Sequence, residues 1–161
     1  MAVKLWTVHF MRICVANLLL FISLYVLFPV LSVEMADRLG VPAAQTGVIF
    51  LFFTLGMFLI GPFHAYLVDE YKRKHVLLYS ALIMLAAVLG YAFVDGYTKF
   101  LLLAAVQGAC FGLATTAGIT VAIDITTSAR RSAGNMVYAW AARLGMLVGV
   151  VLGIGMYRMY G

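Results

Sequence analysis

Charged residues in this chain fall in short clusters, separated by long stretches in which almost every position is apolar. Five stretches are long enough to cross a bilayer: residues 13–33, 39–68, 76–94, 100–123 and 132–157, the last interrupted once by Arg143. A helix rising 1.5 Å per residue needs about 20 such residues to cross about 30 Å of hydrocarbon. The second stretch is longer than that, and its Gly40-Val41-Pro42 reads as a turn that delays the helix to about Gln45. The predicted helices are therefore 13–33, 45–68, 76–94, 100–123 and 132–157. Membrane barrel strands of about 10 residues do not fit runs of this length. The expected fold is an all-α, polytopic bundle of five transmembrane helices forming a single transmembrane domain over 1–161.

Composition strengthens this reading. Of the 161 residues, 65% are hydrophobic and 11% charged, with a mean hydropathy of +1.07, whereas a soluble domain carries about a quarter charged residues. The net charge of +5 does not point to nucleic acid, because the bases sit in clusters between apolar runs and form no continuous basic face. They do bear on orientation. With the N-terminus inside, Lys4, Arg12, Lys72, Arg73, Lys74, Arg130 and Arg131 face the cytoplasm, against Arg38, Lys99 and Arg158 on the other side. That asymmetry predicts a cytoplasmic N-terminus and an external C-terminus. Short loops and the lack of a cleavable signal suggest a bacterial inner membrane. Cys14 and Cys110 lie inside apolar runs about half a membrane apart and are expected to be free thiols.

Polarity differs between the helices. The third offers only Tyr79, Ser80 and Tyr91 to a polar partner, so much of its surface is expected to face lipid. Interior polar groups gather on the first, fourth and fifth helices: Asn17, Ser23 and Tyr25; Gln107, Thr115 and Thr116; Asn135, Tyr138 and Arg143. Asn17, Tyr25, Gln107 and Arg143 are the candidates for lining a substrate cavity. Gly108 and Gly112, and again Gly145, Gly149 and Gly153, stand four apart, a spacing that lets helices approach closely in lipid. No metal-ligand spacing, nucleotide-binding glycine loop or nucleophile–base pair occurs, so no enzyme activity, catalytic residue, cofactor or metal is expected.

The most specific stretch joins helices two and three: Gly61-Pro62-Phe63-His64-Ala65-Tyr66-Leu67-Val68-Asp69-Glu70-Tyr71-Lys72-Arg73-Lys74. It resembles the loop signature of the major facilitator superfamily, G-x-L-x-D-R-x-G-R-R/K, with Leu67, Asp69, Arg73 and Lys74 in place. Ala65, Glu70 and Lys72 replace the first glycine, the first arginine and the second glycine. Thr54-Leu55-Gly56, between Leu39-Gly40-Val41 and Gly61, is similar to that family's second helix. The resemblance extends over essentially the whole chain, as the first five of twelve helices. It implies a cytoplasmic gate in which Asp69 and Arg73, followed by Lys74, are held with Asp124 at the end of helix four. Depth agrees independently: about 24 residues at 1.5 Å carry the fourth helix from Phe100 to Asp124 at the inner face. Gln107-Gly108 resembles the family's R-x-x-Q-G pattern with Ala104 at the arginine position. Gly145-x-x-x-Gly149-Val150 resembles its G-x-x-x-G-P pattern without the proline. Both departures weigh against a drug/proton antiporter.

Arg143 lies about 11 residues into the fifth helix, near the bilayer midplane. A guanidinium there costs several kcal/mol and by default faces a cavity or a partner. Glu34, Asp37, Asp69, Glu70, Asp95 and Asp124 all lie at helix ends, so none is at its depth. The expectation is that Arg143 lines a central cavity and orients an anionic group; the alternative is that it snorkels to the cytoplasm past Asn135. Taken together, these features describe the N-terminal portion of a secondary transporter. It would sit in the lipid bilayer and move a small, anionic solute by alternating access, with a coupling proton or ion, around a site completed by a missing C-terminal half. The competing reading is a complete five-helix membrane protein with an interaction or assembly role.

Overall fold

The computed structural model describes residues 5–160. Among them are five long helices and no strand: α1 (Val8–Leu39), α2 (Ala43–Glu70), α3 (Arg73–Phe93), α4 (Tyr97–Asp124) and α5 (Arg131–Tyr160). All five are long and apolar enough to span a membrane. The apolar runs thus give the number and order of the helices. Most of them extend beyond their apolar runs, because an interfacial turn with a charged or polar side chain loses nothing by remaining hydrogen-bonded as helix. Lys4, counted in the charge asymmetry, lies outside the described residues.

Short turns separate the helices, and two of them turn on a glycine. Gly40 follows α1 with φ +59°, a conformation that costs glycine little. The Val41 N–H then donates to the Met35 carbonyl (3.3 Å), and Pro42 prevents the helix from resuming in register. Between α3 and α4, Gly96 takes φ +111° and accepts from the N–H groups of Lys99 and Phe100. A 3₁₀ turn, Ser128–Arg130, leads into α5. Pro29 and Pro62 lie inside α1 and α2, where each removes one backbone donor, a loss that membrane helices tolerate.

The chain packs as two units. One holds α1 through Leu31 and everything from Gly118 onward; the other holds Ser32–Ala117. In the first, α5 lies against α1 along its glycine stripe. A Cβ at Gly145, Gly149 or Gly153 would come 2.6–2.8 Å from the carbonyl oxygens of Leu18, Ile22 and Val26 respectively. The four-residue spacing repeats this contact turn by turn.

In the second unit, α2 and α4 approach equally closely. A Cβ on Gly56 would meet the Ala105 backbone, one on Gly108 the Phe53 backbone, and one on Gly112 the His64 ring at 2.5 Å. α3 covers this pair with a single buried stripe, Val76, Ser80, Met84, Ala87 and Tyr91, and leaves Leu78, Leu82, Leu85 and Leu89 exposed. The exposed side chains take up more of the helix surface than the buried stripe does. α4 is the most enclosed span: 56% of its apolar window is buried, against 17–28% in the others. Small residues such as Ala104, Ala109, Ala114 and Ala117, all buried, let neighbours reach its backbone.

Candidate functional site

The candidate residues divide between the two units. In the first, α1 and α5 are joined by the Asn17 side-chain amide, which donates to the Tyr138 carbonyl at 3.0 Å. Asn17 is buried, and its Oδ1 has no hydrogen-bond partner among the described groups. Tyr25, two turns along α1, is half-buried; its Cβ rests on Gly149, and its ring stacks on Phe21 and meets Phe28 edge-on.

Arg143 stands two residues before Gly145, about 200° round the helix from it. It therefore occupies the face turned away from α1. It is exposed there beside Leu144, Leu147 and Val151, with its guanidinium 5.6 Å from the centre of the Trp140 ring. A cation over an aromatic face gains on the order of 0.5–2 kcal/mol, well below the cost of placing that charge in hydrocarbon. The contact orients the guanidinium without balancing it. Asp124, also in this unit, is the last residue of α4.

In the second unit, Gln107 is almost fully buried, at 1% exposure. Its Oε1 accepts from the Tyr91 hydroxyl at 3.0 Å, and its Nε2 has no hydrogen-bond partner among the described groups. Asp69 and Arg73 flank the turn between α2 and α3, with Arg73 Nη2 3.9 Å from Asp69 Oδ1, at the outer limit of an ion pair. Lys74 follows Arg73 in the first turn of α3 and is exposed. The structure thus brings Asp69 and Arg73 together at the end of α2, and places Gln107 well inside the unit, bonded to α3.

Two arrangements depend on the fold and not on local sequence. Arg38 bridges Glu34 (3.1 Å) and Asp95 (3.2 Å), tying the end of α1 to the α3–α4 turn. The four-residue spacing of Glu34 and Arg38 carries half of that cluster; Asp95 is brought in only by the fold. His64, a lone histidine near the end of α2, is buried under Gly112. Its ring hydrogen-bonds the Ala109 backbone and leaves Nε2 without a partner. Gly112 supplies the space, but nothing in the sequence sets it opposite position 64. Cys14 and Cys110 are free. Among the described residues, no group of His, Cys, Asp and Glu is arranged to hold a metal.

The chain thus combines five helices of membrane-spanning length, close glycine contacts within each unit and an acid–base turn after the second helix. The family model described as Major Facilitator Superfamily matches residues 13–161. The chain belongs to the major facilitator superfamily. It is accordingly an integral membrane protein of a transporter family whose members move small solutes. No curated protein and no solved structure matches it.

Proposed function

We propose that this superfamily chain is the amino-terminal part of a secondary transporter that moves a small solute carrying an anionic group by alternating access. The observation that carries the proposal is Arg143, a permanent cation exposed on the apolar span of α5, on the face opposite the α1 contact. A charge at that depth is stable only against water, a counter-charge or a bound anion. Gln107 Nε2 is a buried donor without a partner among the described groups, whereas the unpartnered atom of Asn17 is an acceptor, which offers nothing to an anion. Tyr25 adds an aromatic wall on α1. Of the four candidates Arg143 is the one on an exposed face, and it would line the solute path together with a second half of the transporter.

At the other end of the mechanism, Asp69, Arg73 and Lys74, with Asp124 closing α4, form the cytoplasmic gate of this proposal. The Asp69–Arg73 pair is its visible part. A pair at 3.9 Å with an exposed carboxylate is weak, on the order of 0–1 kcal/mol. Weakness suits a contact that breaks in every cycle. The N-terminus is cytoplasmic in this scheme, and the membrane is a bacterial inner membrane.

Uptake of candidate anionic solutes into vesicles containing the full native protein tests the proposal. Arg143→Ala is expected to abolish uptake while leaving insertion and expression intact, and Arg143→Lys to retain part of it. Undiminished uptake by Arg143→Ala would overturn the anion-binding role. A native reading frame that stops after Gly161 would overturn the two-half mechanism and favour the assembly role.

A further inference from the structure

In the second unit, a groove of about 550 Å³ runs between the last turn of α2, the first three turns of α3 and the middle of α4. Its two ends differ in chemistry. At the loop end stand Glu70, Tyr71, Lys72 and His75, with the Tyr79 ring one turn further on, 6.3 Å from His75. The rest of the lining is apolar or bonded within its own helix: Leu67 from α2, Val76 and Ile83 from α3, Leu113 and Cys110 from α4, and Ser80, whose hydroxyl donates to the Val76 carbonyl.

The groove has the dimensions of one leaflet. From Lys72 to Ile83 is about 16 Å along the helix, half of the about 30 Å hydrocarbon core. The polar end belongs to the Asp69–His75 turn, which joins two membrane helices and so lies at headgroup level. There Lys72, Arg73 and Lys74 outnumber Asp69 and Glu70, and Asp69 faces Arg73. Lys72 and His75 at the rim are donors suited to a phosphate oxygen, while Glu70 beside them is an acceptor. A soluble anion would leave the apolar length of the groove unused, and an alkyl chain alone would leave the rim unused.

We propose that this groove binds one anionic phospholipid with a hydroxyl-bearing headgroup, of the phosphatidylglycerol type. Its phosphate lies against Lys72 and His75, a headgroup hydroxyl donates to Glu70, and one acyl chain follows Val76 and Ile83 past Cys110. The site is built entirely from residues 67–113 and is independent of the transport reading.

Cys110 reports occupancy. In the full native protein, with every other cysteine replaced and the purified protein held in detergent micelles, added phosphatidylglycerol is expected to slow alkylation of Cys110 by a maleimide at least fivefold. Phosphatidylcholine at the same concentration is expected to slow it less than twofold. Lys72→Ala with His75→Ala is expected to remove the difference between the two lipids. Lys72→Arg, which keeps the charge should the double variant fail to fold, is expected to preserve it. Lys99→Ala, near the opposite end of α4, is expected to change nothing. Equal protection by both lipids, protection that survives the double substitution, loss of protection in Lys99→Ala, or no protection at all would overturn the proposal. None of these readouts uses uptake, so the lipid site and the transporter proposal stand or fall separately.

Discussion

Gln107 shows what a polar residue costs inside a membrane helix and how the fold meets that cost. An amide in hydrocarbon without partners is penalised by several kcal/mol, and here one of its two polar atoms is satisfied by Tyr91. Replacing Tyr91 with phenylalanine keeps the ring against Phe100 but strips Oε1 of its donor. The expected cost is about 0.6–1.5 kcal/mol, read as a lower melting temperature in detergent. Gln107→Leu in the same background is expected to recover most of that loss, because an apolar side chain leaves nothing unsatisfied. Gln107 could be picked out from the sequence as an interior polar group. Its partner could not, since Tyr91 lies sixteen residues away on a different helix. Asn17 behaves likewise, its bond running to a carbonyl 121 residues distant.

At the scale of elements, glycine placement decides which helices pair. Gly108 and Gly155 look alike in sequence, both lying within long apolar helices, yet a Cβ on Gly108 would enter the Phe53 backbone and one on Gly155 meets nothing within 4 Å. Gly108→Ala is therefore expected to force α2 and α4 apart and to abolish a monodisperse peak in size-exclusion chromatography. Gly155→Ala is expected to be neutral or stabilising, by up to about 1 kcal/mol, in a thermal melt. The stripe Gly145, Gly149 and Gly153 was legible as a close-packing surface because its period matches the helix. That α1 is what packs on it emerged only from the fold, since small-residue spacing does not name its partner.

For the whole molecule, the testable property is topology. The excess of Lys and Arg in alternate loops predicts that the α2–α3 turn faces the cytoplasm and the α3–α4 turn the outside. Single cysteines introduced by Tyr71→Cys and Asp95→Cys, in a background with Cys14 and Cys110 replaced, are expected to react with an impermeant maleimide from opposite sides of intact cells. Asp95→Cys is expected to be labelled from outside and Tyr71→Cys only after permeabilisation; the reverse pattern would invert the bundle. The proposed gate is tested at the same scale. Asp69→Asn removes the carboxylate facing Arg73, and in the full native protein it is expected to raise alkylation of cytoplasmic cavity positions.

What the amino-acid sequence determined by itself is the class of the molecule: helical, membrane-spanning, crossing five times, with an acid–base turn after the second span. These follow from local quantities. Apolar length must match bilayer thickness, and a backbone in hydrocarbon must satisfy its own hydrogen bonds, which leaves the helix as the one solution for runs of this length. The tertiary structure decided the pairings: Gly56 on Ala105, Gly145 on Leu18, His64 under Gly112, Gln107 to Tyr91, and Arg38 to Asp95. Every helix here is apolar on several faces, so in lipid no hydrophobic gradient tells one which side to bury. Shape and a few hydrogen bonds make that choice, and both depend on residues far apart in the chain.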